Sequence, residues 1–92
     1  MRFEYPAVFK KREDGSYEGR FPDLPGAEVT GGSMEDVIRN AINAEREWML
    51  TEFWEEDPKV PPISDAEDLV LGEGEFVRQV AAIVKFQEGW EE

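Results

Sequence analysis

The chain has 92 residues, no Cys and no His, and a net charge of −12 from 10 basic and 22 acidic side chains. That length makes one domain with a modest core. The missing Cys excludes disulfides and thiolate sites, and the missing His removes the commonest metal ligand and the usual proton-transfer group near neutral pH. No metal and no cofactor is therefore expected.

The charge is uneven. Residues 1–46 hold 9 acids and 7 bases, whereas residues 47–92 hold 13 acids and 3 bases. Such a field repels phosphate backbones and anionic lipid, so direct nucleic-acid or membrane binding is not expected, and a basic protein partner suits it. No apolar run approaches the ~20 residues of a membrane span. The start lacks a signal-peptide core, so a cytoplasmic location is expected.

Phe3, Tyr5, Ala7 and Phe9 alternate with polar residues and Pro6, the period of a half-buried strand. Pro6 cannot donate to a ladder, so this is an edge strand or one that places Pro6 where no donor is needed. Asp14-Gly15 signals a hairpin turn, and Tyr17, Gly19 and Phe21 the return strand. Phe21-Pro22-Asp23-Leu24-Pro25-Gly26 is a corner in which two prolines fix φ and Gly26 can supply a positive one. Residues 27–30 form a short third strand. Ser33 is an N-cap with Asp36 three residues on. Met34, Val37, Ile38, Ala41, Ala44, Trp48 and Met49 follow at helical spacing. Asp57-Pro58 ends that helix.

Residues 58–62 form an irregular connection and residues 64–69 a short helical turn, broken by Gly72-Glu73-Gly74. Residues 75–86 are the last strand, with Val80, Ala82, Val84 and Phe86 on one face and Val77, Ala81 and Ile83 on the other. Apolar residues on both faces imply burial on both sides. Val77, Ala81 and Ile83 therefore mark an oligomer interface, giving a homodimer or tetramer. The expected domain spans residues 1–86, followed by a loose acidic tail over 87–92.

Glu52, Glu55, Glu56 and Asp57 gather at the helix C-terminus, where the dipole disfavours carboxylates. They read either as a docking patch for basic side chains or as a solvated end. Trp54 falls off the apolar stripe and is a candidate contact residue, whereas Trp48 lies on it. Glu18, Asp23 and Glu28 on the sheet and its corner form a second candidate docking set. Asn40 and Asn43 either bond across an interface or flank Ala41 and Ala44 as polar positions. A metal-dependent nuclease would need converging carboxylates. The candidates are Glu4, Glu18, Glu28 and Asp36, with Glu4 and Glu18 as possible neighbours across the hairpin, and nothing places a third acid beside them. No catalytic residue is assigned.

Tyr5-Pro6-Ala7-Val8-Phe9, Gly15-Ser16-Tyr17 and the Phe21–Gly26 corner resemble the HicB-like antitoxins. Gly32-Ser33-Met34-Glu35-Asp36-Val37, Asn40-Ala41, Ala44 and Pro61-Pro62-Ile63-Ser64 follow the same pattern, and the corner is the most specific element. The resemblance implies an α+β, partial ribonuclease-H-like fold in β-β-β-α-β order: a three-stranded antiparallel sheet, a long helix and a returning strand. It implies a non-enzymatic antitoxin that covers the active site of a small basic mRNA-cleaving toxin of the HicA type, and dimers or higher oligomers. Many members also carry a C-terminal DNA-binding domain. This sequence ends about six residues after the last predicted strand, so operator binding by the chain itself is not expected. The rival readings are a metal-dependent nuclease and a stand-alone dimeric scaffold with no toxin.

Overall fold

The computed structural model describes residues 2–57 and 59–84. The elements are β1 (Arg2–Lys11), β2 (Tyr17–Arg20), β3 (Glu28–Gly31), α1 (Met34–Phe53), a 3-10 turn (Ala66–Asp68) and β4 (Glu75–Ile83). The strands make one antiparallel sheet in the order β3-β2-β1-β4. The returning strand thus joins the first three, and α1 packs across one face. Phe86, placed in the last strand from the sequence, and the 87–92 tail lie outside the described residues.

The hairpin turn forms as its residues dictate. Asp14 accepts from the Ser16 N–H at 2.9 Å and from its hydroxyl at 2.7 Å, and Gly15 takes φ 93°. That conformation is free of cost only to glycine. The same hydrogen bonds hold the Asp14 carboxyl below its usual range.

β1 is an inner strand, not an edge. Register explains how it tolerates Pro6. Phe21 donates to the Ala27 carbonyl at 3.1 Å, which extends the β2–β3 ladder and marks odd-numbered β2 residues as facing β3. Alternation then turns even-numbered β1 residues toward β2 and odd-numbered ones toward β4. Pro6 therefore lacks its donor on the β2 side, where pairing has already ended at Val8. This is the second of the two placements expected for it.

Phe3, Tyr5, Ala7 and Phe9 face α1, as their period of two requires. The core joins Tyr5, Ala7 and Phe9 to Phe21, Leu24, Ala27, Val37, Ala41, Met49, Val80 and Val84. Two glycines make the packing possible. A Cβ on Gly19 would sit 2.6 Å from the Phe9 ring, so the aromatic lies on bare backbone. A Cβ on Gly31 would come within 2.7 Å of Val37 Cα, so α1 starts tight against the end of β3.

α1 begins at Ser33, whose hydroxyl accepts from the Asp36 N–H at 3.1 Å. It runs 20 residues, roughly 30 Å at 1.5 Å per residue. Two side chains tie it to the sheet and corner. Asn40 donates to the Thr30 carbonyl at 2.8 Å, and the Trp48 indole donates to the Pro25 carbonyl at 3.1 Å. Trp48 and Ala44 are half-buried, whereas Val37, Ala41, Glu45 and Met49 are fully enclosed.

Candidate protein-binding surface

At the C-terminus of α1, two adjacent aromatics take opposite directions. Phe53 turns inward, its ring centroid 6.1 Å from that of Phe3. Trp54, the C-cap, turns outward and is 82% exposed. Burying an indole is worth several kcal/mol, so an exposed one is a strong candidate anchor for a partner. The last turn of α1 has no basic residue, and its carbonyl end meets exposed Glu55, Glu56 and Asp57. The negative helix pole and these carboxylates reinforce one another. Among the described residues, one cation intrudes: the Lys59 ammonium lies 3.4 Å from Asp57.

Glu52 belongs to the same stretch but has a structural task. Its carboxylate accepts from the Lys59 N–H at 2.8 Å and folds the chain back after the helix. Asp23 is likewise occupied: its two oxygens take the Ser64 N–H at 2.9 Å and hydroxyl at 2.5 Å. It clasps the proline-rich corner to residues 59–64, beside the bond from the Tyr5 hydroxyl to the Pro61 carbonyl at 2.6 Å. Burial raises the Tyr5 phenol, and the charges of Asp23 and Glu45 add to that.

Glu18 and Glu28 border a hollow of about 410 Å³ on the sheet face away from α1, together with Val8, Lys10, Arg12 and Arg20. Two ion pairs lie along it: Arg12 with Glu18 at 3.1 Å, and Arg20 with Glu75 at 2.8 Å. The Arg20 hydrogen bond, then the Gly72 N–H, holds the Glu75 carboxyl below its usual range. Glu28 is exposed, in register with Arg20. Of the second candidate set, only Glu28 presents a carboxylate with neither an ion pair nor a side-chain hydrogen bond among the described residues.

The carboxylates named for a nuclease do not converge. Glu18 stands opposite Lys10, whereas Glu4 stands opposite Ala81 of β4. They are not neighbours across the hairpin, because the β1–β2 register sets Glu18 six residues along β1 from Glu4. Asp36 is in the first turn of α1, bonded to Arg39 at 3.0 Å. Among the described residues, no three His, Cys, Asp or Glu are placed to hold a metal ion. Nor is any helix there long and apolar enough to cross a membrane.

On β4, Val80 and Ala82 are buried toward α1. Val77 and Ala81, on the other face, are half-buried, and Ile83 is 57% exposed. Two-sided burial is therefore not completed within one chain.

Sequence reading missed Glu45. It is fully enclosed, and neither carboxylate oxygen has a hydrogen-bond partner among the described residues. The signal was present: residues 41, 45 and 49 recur at i+4, which places Glu45 between Ala41 and Met49 on the apolar stripe. Burial pushes its carboxyl up to about 8, with Glu4 adding to the shift and Arg2 opposing it.

A family model described as the HicB-like antitoxin of bacterial toxin–antitoxin systems matches residues 5–88. Among solved structures, the fold is similar to the N-terminal domain of the Burkholderia pseudomallei antitoxin HicB. That likeness has a TM-score of 0.75 and 25% identity, over 85% of this chain and 95% of that one. It is also similar to a chain of a toxin–antitoxin complex from Streptococcus pneumoniae, with a TM-score of 0.69 and 21% identity, over 100% of this chain and 79% of that one. No curated protein matches the chain.

Proposed function

The chain belongs to the HicB-like antitoxin family, and from that premise we propose that it neutralises a small basic mRNA-cleaving toxin of the HicA type by covering its active site. The observation that carries the reading is Trp54, 82% exposed and flanked by exposed Glu55 and Glu56 on a chain of net charge −12. An exposed indole ringed by carboxylates matches a surface built to hold RNA, which is cationic and offers stacking sites. The antitoxin excludes RNA by occupancy and by competing charge, and needs no chemistry of its own. The toxin-antitoxin complex to which the fold is similar supports a protein partner for this sheet-and-helix unit.

The docking set is centred on Trp54, Glu55, Glu56 and Asp57, with Glu28 as an outlying carboxylate. Glu52, Asp23 and Glu18 are engaged within the fold and contribute less. The test is association kinetics with a small basic protein encoded beside this chain. Reversing Glu55 and Glu56 to Lys should slow association at low salt, with the difference closing as salt screens it. Trp54→Ala should instead raise the dissociation rate, weakening Kd at least tenfold. An unchanged association rate for the reversed variant would move the docking surface to the sheet.

A further inference from the structure

We propose that the hollow between α1 and the proline-rich corner, beside the Trp48 indole, takes an arginine side chain of the basic protein that this chain binds, a contact that rests on the toxin-binding role and is separate from Trp54.

Helical spacing builds one wall. Ala44, Glu47, Trp48 and Thr51 follow as i, i+3, i+4 and i+7, so they share one face of α1. Gly26, Ala27 and Glu28, from the corner and the start of β3, supply the other wall. The residues on both walls beside the indole are small: Ala44 on one, Gly26 and Ala27 on the other. They leave a hollow of about 360 Å³, at the small end of the ~300–1,000 Å³ of ligand clefts. The Trp48 N–H donates to the Pro25 carbonyl at 3.1 Å, which holds the ring in place. The indole is half-buried, and its remaining surface lines the hollow.

The rim is acidic. Glu28 and Glu47 are exposed, and among the described residues neither has an ion pair or a side-chain hydrogen bond. Glu52 is the third carboxylate, accepting from the Lys59 N–H. Among the described residues, no Lys or Arg lines the hollow. The hollow on the open sheet face differs: Lys10, Arg12 and Arg20 there match Glu18, Glu28 and Glu75. Of the two, the hollow beside Trp48 is the one with negative charge left to neutralise.

Chemistry selects the occupant. A hard metal ion needs several oxygen ligands at about 2.0–2.6 Å, and among the described residues no three acids are placed for that. A nucleic acid would meet three carboxylates and no cation. A guanidinium is planar, so it stacks on an indole while its fork of N–H donors reaches carboxylates on both walls. An ammonium has neither the flat face nor the fork, so arginine suits the hollow better than lysine. Exposed rim charges such as Glu55 and Glu56 act mainly on the association rate, whereas enclosed charge pairs act on dissociation. Kinetics therefore separates the two contacts.

The experiment measures binding of the full chain to the small basic protein encoded beside it. Changing both Glu28→Gln and Glu47→Gln keeps side-chain size and should raise the dissociation rate about tenfold or more. Circular dichroism and the urea midpoint should stay unchanged, and association at low salt should slow less than on reversal of Glu55 and Glu56. Thr51→Arg, which places the chain's own guanidinium in the hollow, should weaken binding likewise. With Trp54→Phe and Trp90→Phe, Trp48 remains as the single Trp of the three, and its emission should change at saturating partner. One partner arginine, changed to Lys, should lose affinity for the unaltered chain but not for the double Gln variant. Unchanged dissociation of the folded Gln variant, unchanged Trp48 emission, or no partner arginine coupled to the Gln pair overturns the proposal. If Glu55 and Glu56 reversal still slows association in that case, the antitoxin role stands without the groove. Should Thr51→Arg fail to fold, the Gln pair decides. A changed mass of the free chain in the Gln variant would assign the hollow to a second copy and likewise overturn the proposal. No binding by the unaltered chain overturns both the groove and the role.

Discussion

Glu45 is the most direct place to perturb this fold. Its carboxyl lies on the buried stripe of α1 with no hydrogen-bond partner among the described residues, and burial pushes it up to about 8 from 4.5. A folded-state pKa above the unfolded value means that the folded chain holds a proton the unfolded chain releases. The resulting stability is full below pH 4.5 and declines as pH rises toward 8. At 1.36 kcal/mol per pH unit, the loss between pH 4.5 and 7 is about 3 kcal/mol. That is a large share of the 5–15 kcal/mol typical of a domain.

Glu45→Leu keeps a similar volume, removes the proton linkage and joins Ala41 and Met49 in the stripe. Urea unfolding of both chains across pH 4.5–8 should show the variant more stable at pH 7. Its advantage should shrink by about 3 kcal/mol as pH falls to 4.5. On melting, that difference corresponds to a shift on the order of 10–20 °C. Glu45→Gln, which cannot ionise, should share the variant's pH profile. Taking differences against the unaltered chain cancels the effects of the exposed carboxylates. Parallel profiles for all three chains would refute the reasoning, because they would mean that Glu45 titrates alike in the folded and unfolded states.

Three further outcomes follow from the packing and charge. Gly31→Ala should cost about 2–3 kcal/mol by denaturant midpoint, since the new methyl meets the α1 backbone, which cannot yield as a side chain can. Asp23→Ala should free the corner from residues 59–64 and leave the Ser64 N–H without its partner. Faster hydrogen exchange at Ser64 should report this, with little change at β1. The isolated chain should not shift duplex DNA at about 150 mM salt, given its net charge of −12; specific micromolar binding would contradict that.

Much of the fold was legible because local signals agree. Ser33 with Asp36, Asp14-Gly15 and the period-two apolar residues of β1 each specify one conformation, and each forms as expected. What failed or stayed open depended on neighbours far along the chain. Pro6 allowed two placements, and only the register, with β2 pairing ended at Val8, chooses the inner one. Glu4 and Glu18 look adjacent only if the hairpin register is shifted, since it pairs Glu18 with Lys10. Asp23 and Glu52 read as free carboxylates because their N–H partners, Ser64 and Lys59, follow at 41 and 7 residues' distance in irregular segments. Glu45 was passed over for a different reason: the stripe was traced through apolar residues, so a carboxylate at the same spacing went unread. The exposure of Trp54 was signalled by its position off the stripe, whereas the inward turn of Phe53 depends on Phe3, 50 positions away.

The central claim is that this chain silences a ribonuclease by binding it. The direct measurement is cleavage of a single-stranded RNA by the small basic protein encoded beside it, titrated with this chain at about 150 mM salt. The account predicts loss of cleavage that is complete at stoichiometric chain, with Trp54→Ala shifting the curve to higher concentration. Full cleavage at saturating chain, with both proteins folded, would contradict it.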